Sequence, residues 1–299
     1  MDRLAAMTTL LAAVEGGSLS AASRKLGMPL PTVSRKISEL EAYLRTRLIH
    51  RTSRRLSLTD AGQAYVVASR RIIEDIGEAE RTAAGEYSAP RGDLTLTAPI
   101  VFGRLHVLPV AIEFLKAYPE IDLRIALGDR VIDLQEDHID VAVRIGELPD
   151  SRLVATRVGA VSRVVCGSPD YFARRGTPKT PADLARHDCI TFQGLTSPEE
   201  WTFGAGRSRA SVVVRSRLIV NTAEAAIDAA IAGVGITRVL SYQAASALRS
   251  RMLVRVLRRF EPAPSPVSLV HAGQGRLPLK LRAFLDFAAP RLKARLAQL

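Results

Sequence analysis

Ser18-Leu19-Ser20-Ala21-Ala22-Ser23-Arg24-Lys25-Leu26-Gly27-Met28-Pro29-Leu30-Pro31-Thr32-Val33-Ser34-Arg35-Lys36-Ile37 is the stretch on which the fold turns. Ser18 offers an N-cap oxygen to a short, Ala-rich helix, which Gly27 can end in a left-handed conformation. Beyond the turn through Pro29 and Pro31, the residues Val33, Ile37, Leu40 and Leu44 form a narrow apolar stripe, so a further helix buries one face. On that helical wheel Arg35 lies about 160° from the stripe, with Pro31, Ser34, Ser38 and Ala42 also turned outward. Two short helices joined by a tight turn, the second polar on its outer face, are what a helix-turn-helix requires, although any three-helix bundle shares the periodicity.

On the N-terminal side, Leu4, Met7, Leu11 and Val14 predict a helix that stops at Gly16-Gly17. On the C-terminal side, Leu48 to Thr59 sets alternating apolar residues around a basic tip, the pattern of a small hairpin or wing. Thr32, Ser34 and Arg35, with Lys36 beside them, are candidate base-reading groups. Arg51, Arg54 and Arg55 can neutralise phosphates, while Thr52 and Ser53 can donate hydrogen bonds to a nucleic-acid backbone. The plainer reading of such an Arg cluster taken alone is a solvated loop. From Thr59 to about Gly85 there is no Pro, and Ala64, Tyr65, Ala68, Ile72, Ile76, Ala79 and Ala83 recur at helical spacing. A long helix with a small-residue stripe follows, and the turn formers of residues 85–92 place a boundary near residue 90.

Beyond that boundary short strands and helices alternate. Leu94 to Ala98 reads as a strand, Leu105 to Leu115 as a helix, then residues 121–125, 139–143, 153–158, 163–166 and 212–220 as strands. A helix follows Asn221-Thr222 and a last one starts near Leu279. Alternation of this kind predicts an α/β core with a parallel, doubly wound sheet. Ligands in such sheets gather beyond strand ends and at helix N-termini, which makes Pro99, Ile100, Phe102, Arg144 to Gly146, Asn221 and Thr222 candidate binding residues; capping or packing would explain each one equally well. Gly233-Val234-Gly235 lacks the remaining features of a phosphate loop and reads as a tight turn.

The order Ser18-Leu19-Ser20-Ala21-Ala22, Leu26-Gly27, Val33-Ser34-Arg35-Lys36-Ile37, Leu40-Glu41, Leu48, Arg51-Thr52, Leu58-Thr59-Asp60-Ala61-Gly62 resembles the N-terminal domain of LysR-type transcriptional regulators. Leu108-Pro109, Phe114 with Tyr118-Pro119, Asp129, Asp133-Leu134, residues 140–146, Ser168-Pro169-Asp170-Tyr171 and Gly233-Val234-Gly235-Ile236 resemble its effector domain. The resemblance implies a winged helix-turn-helix over 1–60 and a linker and hinge over 61–89 that pairs two copies. It also implies a periplasmic-binding-protein-like α/β effector domain over 90–299. That domain would have two lobes, 90–161 with 268–299 and 162–267, with crossovers near residues 161 and 267. The chain departs from the family pattern at Arg45, where Gly is usual, at Ile49, where Phe is common, and at Pro29-Leu30-Pro31. The last departure throws weight onto Thr32, Ser34 and Arg35.

Composition agrees with that reading. With 299 residues, 47% hydrophobic and 24% charged, the chain suits a small domain plus a larger one. The net charge of +12 favours an anionic partner, and residues 1–60 hold ten Lys/Arg against five Asp/Glu. Cys166 and Cys189 are too few for a disulfide framework, and no leader-like or membrane-spanning run occurs, so a cytoplasmic protein without a membrane partner is expected. The five His residues are dispersed, and no cofactor, metal or catalytic motif is present, so no enzyme is expected. The expected function is a sequence-specific regulator that binds double-stranded operator DNA and a small-molecule effector as a homodimer or homotetramer. A solute-binding receptor and an architectural DNA-binding protein without an effector are the alternatives.

Overall fold

The computed structural model describes residues 1–298 apart from 52–55, 84–88, 130–133, 135–138, 149–152, 193–198, 205–208 and 274–276. Thr52, Ser53, Arg54 and Arg55 of the candidate wing tip therefore lie outside the described residues. The chain forms two compact units, Met1–Gly92 and Asp93–Leu299.

In the first unit, helix α1 (Arg3–Glu15) is capped by Asp2, which accepts from the Ala5 amide at 3.1 Å. Helix α2 (Leu19–Leu26) is capped by Ser18 and ended by Gly27 at φ 62°. Helix α3 (Leu30–Leu44) buries Val33, Ile37 and Leu40 completely against Ala6, Leu10 and Leu48. Strands β1 (Ile49–Arg51) and β2 (Leu56–Leu58) pair antiparallel, Ile49 opposite Leu58. Helix α4 (Asp60–Ala83) then adds Val66 and Ile73 to the core.

Two side chains lock the hairpin to the helices. The Glu41 carboxylate accepts from the amides of Leu48 and Ile49 at 2.8 and 3.2 Å. The Thr59 hydroxyl donates to the Arg47 carbonyl at 2.7 Å and accepts from the Gly62 amide at 2.9 Å. A Cβ at Gly62 would fall 1.9 Å from the Leu48 carbonyl oxygen, so only glycine lets α4 start this close to the hairpin.

In the second unit, β3 (Gly92–Ala98) leads into α5 (Ile100–Phe102), which continues through a π turn at Gly103–Val107 into α6 (Leu108–Ala117). Strands β4 (Ile121–Leu127), β5 (Val141–Ile145), β6 (Leu153–Val161) and β7 (Arg163–Gly167) follow. Next come α7 (Pro169–Arg175), β8 (Cys189–Phe192), β9 (Glu200–Phe203), β10 (Ala210–Val213) and β11 (Ser216–Val220). The chain continues with α8 (Ala223–Ile231), β12 (Ile236–Leu240), α9 (Ser241–Arg249), β13 (Val254–Val256), β14 (Ser265–Ala272) and α10 (Leu279–Leu296). Two five-stranded sheets result, in the orders β4-β3-β5-β14-β6 and β11-β8-β12-β7-β13, each the centre of one lobe.

The sheets are mixed rather than parallel. β3 runs parallel to β5, and β8 to β11 and β12, but β14 is antiparallel to β5 and β6, and β7 to β12 and β13. The reversed strands are those through which the chain passes from one sheet to the other. The return falls between Phe260 and Ser265, a few residues ahead of the position near 267 read from sequence. Residues 212–220, read as one strand, are two. The Val214 amide donates to the Glu199 carbonyl at 2.8 Å and the Arg215 carbonyl accepts from the Cys189 amide at 3.0 Å, so the chain leaves the β9–β10 ribbon and joins the second sheet at that point. Among the described residues no single helix is long and apolar enough to cross a membrane.

Candidate functional site

The outer face of α3 is the first candidate. Burial of Val33, Ile37 and Leu40 leaves the Arg35 side chain 72% exposed, tethered among the described residues by an ion pair to Glu39 at 3.8 Å, one turn on. Such exposed pairs contribute about 0.5 kcal/mol or less, so the guanidinium is available to another partner. Thr32, Ser34 and Lys36 are half-buried beside it. Sequence reasoning passed over Leu30, 43% exposed at the start of this helix. An apolar group there suits a thymine methyl, and its signal in the sequence is the departure at Pro29-Leu30-Pro31. Arg51 closes β1, and His50 beside it is exposed.

The second set of candidates lies in the second unit, at strand ends and helix starts of its two lobes. Pro99 precedes α5 without a side-chain cap, but the Asp129 carboxylate accepts from the Ile100 amide at 3.1 Å. Ile100 is exposed, whereas Phe102 is fully buried and meets Tyr242 of α9 edge-on, ring centroids 5.3 Å apart. Phe102 therefore backs the junction rather than lining it. Arg144 is half-buried on β5, and burial lowers its pKa. Gly146, at φ 117°, donates to the Pro266 carbonyl at 2.9 Å. Asn221 is exposed, and the Thr222 hydroxyl caps α8 by accepting from the Ala225 amide at 3.2 Å.

At the first crossover the linking residue Ser162 is fastened to Ser241, at the start of α9 in the second lobe. The Ser241 amide donates to the Ser162 carbonyl at 2.8 Å, and the Ser162 amide donates to the Ser241 hydroxyl at 3.3 Å. Burial, with Asp129 and Glu224 nearby, raises the Tyr242 pKa, so its hydroxyl stays protonated. Arg163 opens β7 opposite Leu240, and Arg238 on β12 faces Val165. Arg238 donates to the Thr202 and Glu200 carbonyls at 3.1 and 3.4 Å and lies 5.2 Å above the Trp201 ring. Sequence reasoning missed this pair of arginines, because nothing local relates position 163 to position 238.

Cys166 and Cys189 are free and buried, and burial pushes both thiols up to about 12. Neither presents a thiolate near neutral pH, which leaves them as small apolar core groups. Among the described residues no group of three or more His, Cys, Asp or Glu is placed to hold a metal ion.

Comparison with known proteins matches residues 4–63 to the family described as "Bacterial regulatory helix-turn-helix protein, lysR family". Residues 88–293 match the "LysR substrate binding domain". An HTH-type transcriptional regulator of Xanthomonas campestris pv. campestris (strain 8004) is 36% identical over 93% of this chain and 82% of its own. An HTH-type transcriptional repressor of Pseudomonas aeruginosa (strain UCBPP-PA14) is 33% identical over 96% of this chain and 91% of its own. Among solved structures, CrgA of Neisseria meningitidis, a LysR-type regulator, is similar at 29% identity and a TM-score of 0.61, covering 96% of this chain and 98% of its own. The Vibrio cholerae virulence activator AphB is similar at 25% identity and a TM-score of 0.62, with the same two coverages.

Proposed function

The chain belongs to the LysR family of transcriptional regulators, and from that premise we propose that it reads a double-stranded operator with α3 and the wing and answers to a small molecule held between the lobes of its second unit. The observation that carries the first half is the division of α3 into a fully buried apolar face and an outer face with Arg35 exposed. Thr32, Ser34, Arg35 and Lys36 meet the major groove, while Arg51 and the wing-tip residues Thr52, Ser53, Arg54 and Arg55 hold the backbone. The effector rests against Pro99, Ile100, Arg144, Gly146, Asn221 and Thr222, with Phe102 behind them. Residues 1–60 bind DNA, 61–89 link and pair two copies, and 90–299 sense the effector. The working form is a dimer or a dimer of dimers in the cytoplasm, where the chromosome is.

Operator selection from random fragments, followed by binding titrations, tests this reading. Arg35→Ala should relax sequence preference at a cost of about 1–3 kcal/mol, while Arg54→Ala should weaken all sequences alike and lower the salt slope by about 1. Specificity unchanged in Arg35→Ala would count against α3 as the reading helix, and uniform coating of DNA would count for an architectural protein.

A further inference from the structure

We propose that Arg163 and Arg238 form an oxyanion-binding pair at the junction of the lobes, and that the effector carries a carboxylate bridging them; this rests on the reading of that junction as the effector site. The helix N-termini that would otherwise attract an anion are already served. Asp129 sits on the first amide of α5, and at α8 the Thr222 hydroxyl caps the helix with Glu224 in its first turn. An incoming carboxylate at either end would meet a resident one.

The two arginines present the opposite situation. Residues opposite one another in an antiparallel pair share a face, and so do residues two apart on one strand. Arg163 faces Leu240, and Arg238 lies two residues from Leu240, so both guanidiniums occupy one face of adjoining strands. Several other arginines of the second unit meet carboxylates, Arg217 and Arg175 at Asp188, Arg255 at Glu261 and Arg291 at Glu113, while the half-buried Arg295 donates to the Leu105 carbonyl. Among the described residues the Arg163 side chain makes no hydrogen bond or ion pair, and the Arg238 side chain has neutral partners, two carbonyls and the Trp201 ring. Burial, then the charge of Arg163, pull the Arg238 guanidinium down to about 9, and burial lowers Arg163 too. Two adjacent, poorly solvated like charges are costly until an anion joins them, and the planar guanidinium fork matches a carboxylate.

Trp201 is the only tryptophan and lies under Arg238, so its emission reports on the site. The full-length protein is titrated at constant ionic strength with acetate, with acetamide as its uncharged counterpart, and with inorganic phosphate, following Trp201 emission and Tm. Acetate should give a saturable change and raise Tm, and acetamide should give neither. Arg163→Gln should weaken the acetate response by about tenfold or more, the effect of losing one charged hydrogen-bonding partner. Arg163→Lys should retain part of the response. Without added anion Arg163→Gln should melt higher than the parent, because the like-charge pair is gone. No acetate response, equal effects of acetate and acetamide, a response to phosphate alone, or an Arg163→Gln response equal to the parent's would each overturn the proposal. Operator affinity measured on the same samples separates the two readings. Intact DNA binding without an acetate response defeats the carboxylate pair alone, whereas loss of selective DNA binding in the parent protein defeats the regulator.

Discussion

Arg45 ends α3 in the left-handed region, at φ 53° and ψ 32°, with its amide donating to the Ala42 carbonyl at 3.2 Å. A side chain in that region crowds the following carbonyl, which is the physical reason glycine is usual where this chain has arginine. Arg45→Gly should stabilise the protein by about 1 kcal/mol, the relief of strain outweighing the added freedom of the unfolded chain. Urea unfolding of the two proteins checks this, and an equal or lower midpoint for the variant would show that the arginine is not strained. Glu41 and Gly62 owe their places to equally specific tasks: the first ties α3 to the hairpin, and the second makes room for it.

At the scale of the element, α4 divides its faces. Val66, Ser69 and Ile73 turn toward the first unit's core, while Val67 and Ile72 are 38% and 41% exposed on a helix otherwise rich in alanine. A carboxylate at an exposed position is harmless to a lone protomer but costs roughly 2 kcal/mol or more when a second copy buries it. Ile72→Asp should therefore keep its Tm as a dilute monomer and lose both dimer mass in light scattering and paired protection of operator half-sites. A variant that still dimerises at the parent's concentration removes this face as the seam. The helices were legible in the sequence because caps and the 3.6-residue period are local: Ser18, Gly27 and the Val33–Leu40 stripe fall where they were read. The sheets were not. Strand order, the break at Val214 and Arg215, and the insertion of β14 depend on partners far along the chain. The same limit hid the proposed anion pair, since Arg163 and Arg238 come together only through strand pairing, and the π turn at Gly103–Val107 leaves no mark in a periodic pattern.

Over the whole molecule, two buried imidazoles contribute to the response to acid. Burial, helped by Arg295, lowers the His106 pKa from its ordinary value of 6.5, and among the described residues neither ring nitrogen has a hydrogen-bond partner. Burial, then Arg175, lower His187 against the pull of Asp183 and Asp188. The unfolded chain takes up these protons near pH 6.5 and the folded chain only at lower pH. Their contribution to stability is therefore fully present above about pH 6.5 and falls as pH drops toward the depressed folded values. His106→Phe keeps a ring against Phe102 and Tyr242 and should flatten part of that fall; a Tm–pH slope unchanged from the parent's would exclude His106 as a contributor. The place of β14 has a consequence of another kind. It lies between β5 and β6, yet the ribosome delivers it about a hundred residues after β6, once the second lobe has emerged. The second lobe is continuous from Arg163 to Phe260 and can close first. During synthesis the first lobe waits with two unpaired strand edges, so a chain stalled before Ser265 exposes the surfaces most prone to aggregate and becomes a substrate for chaperones rather than a half-working regulator.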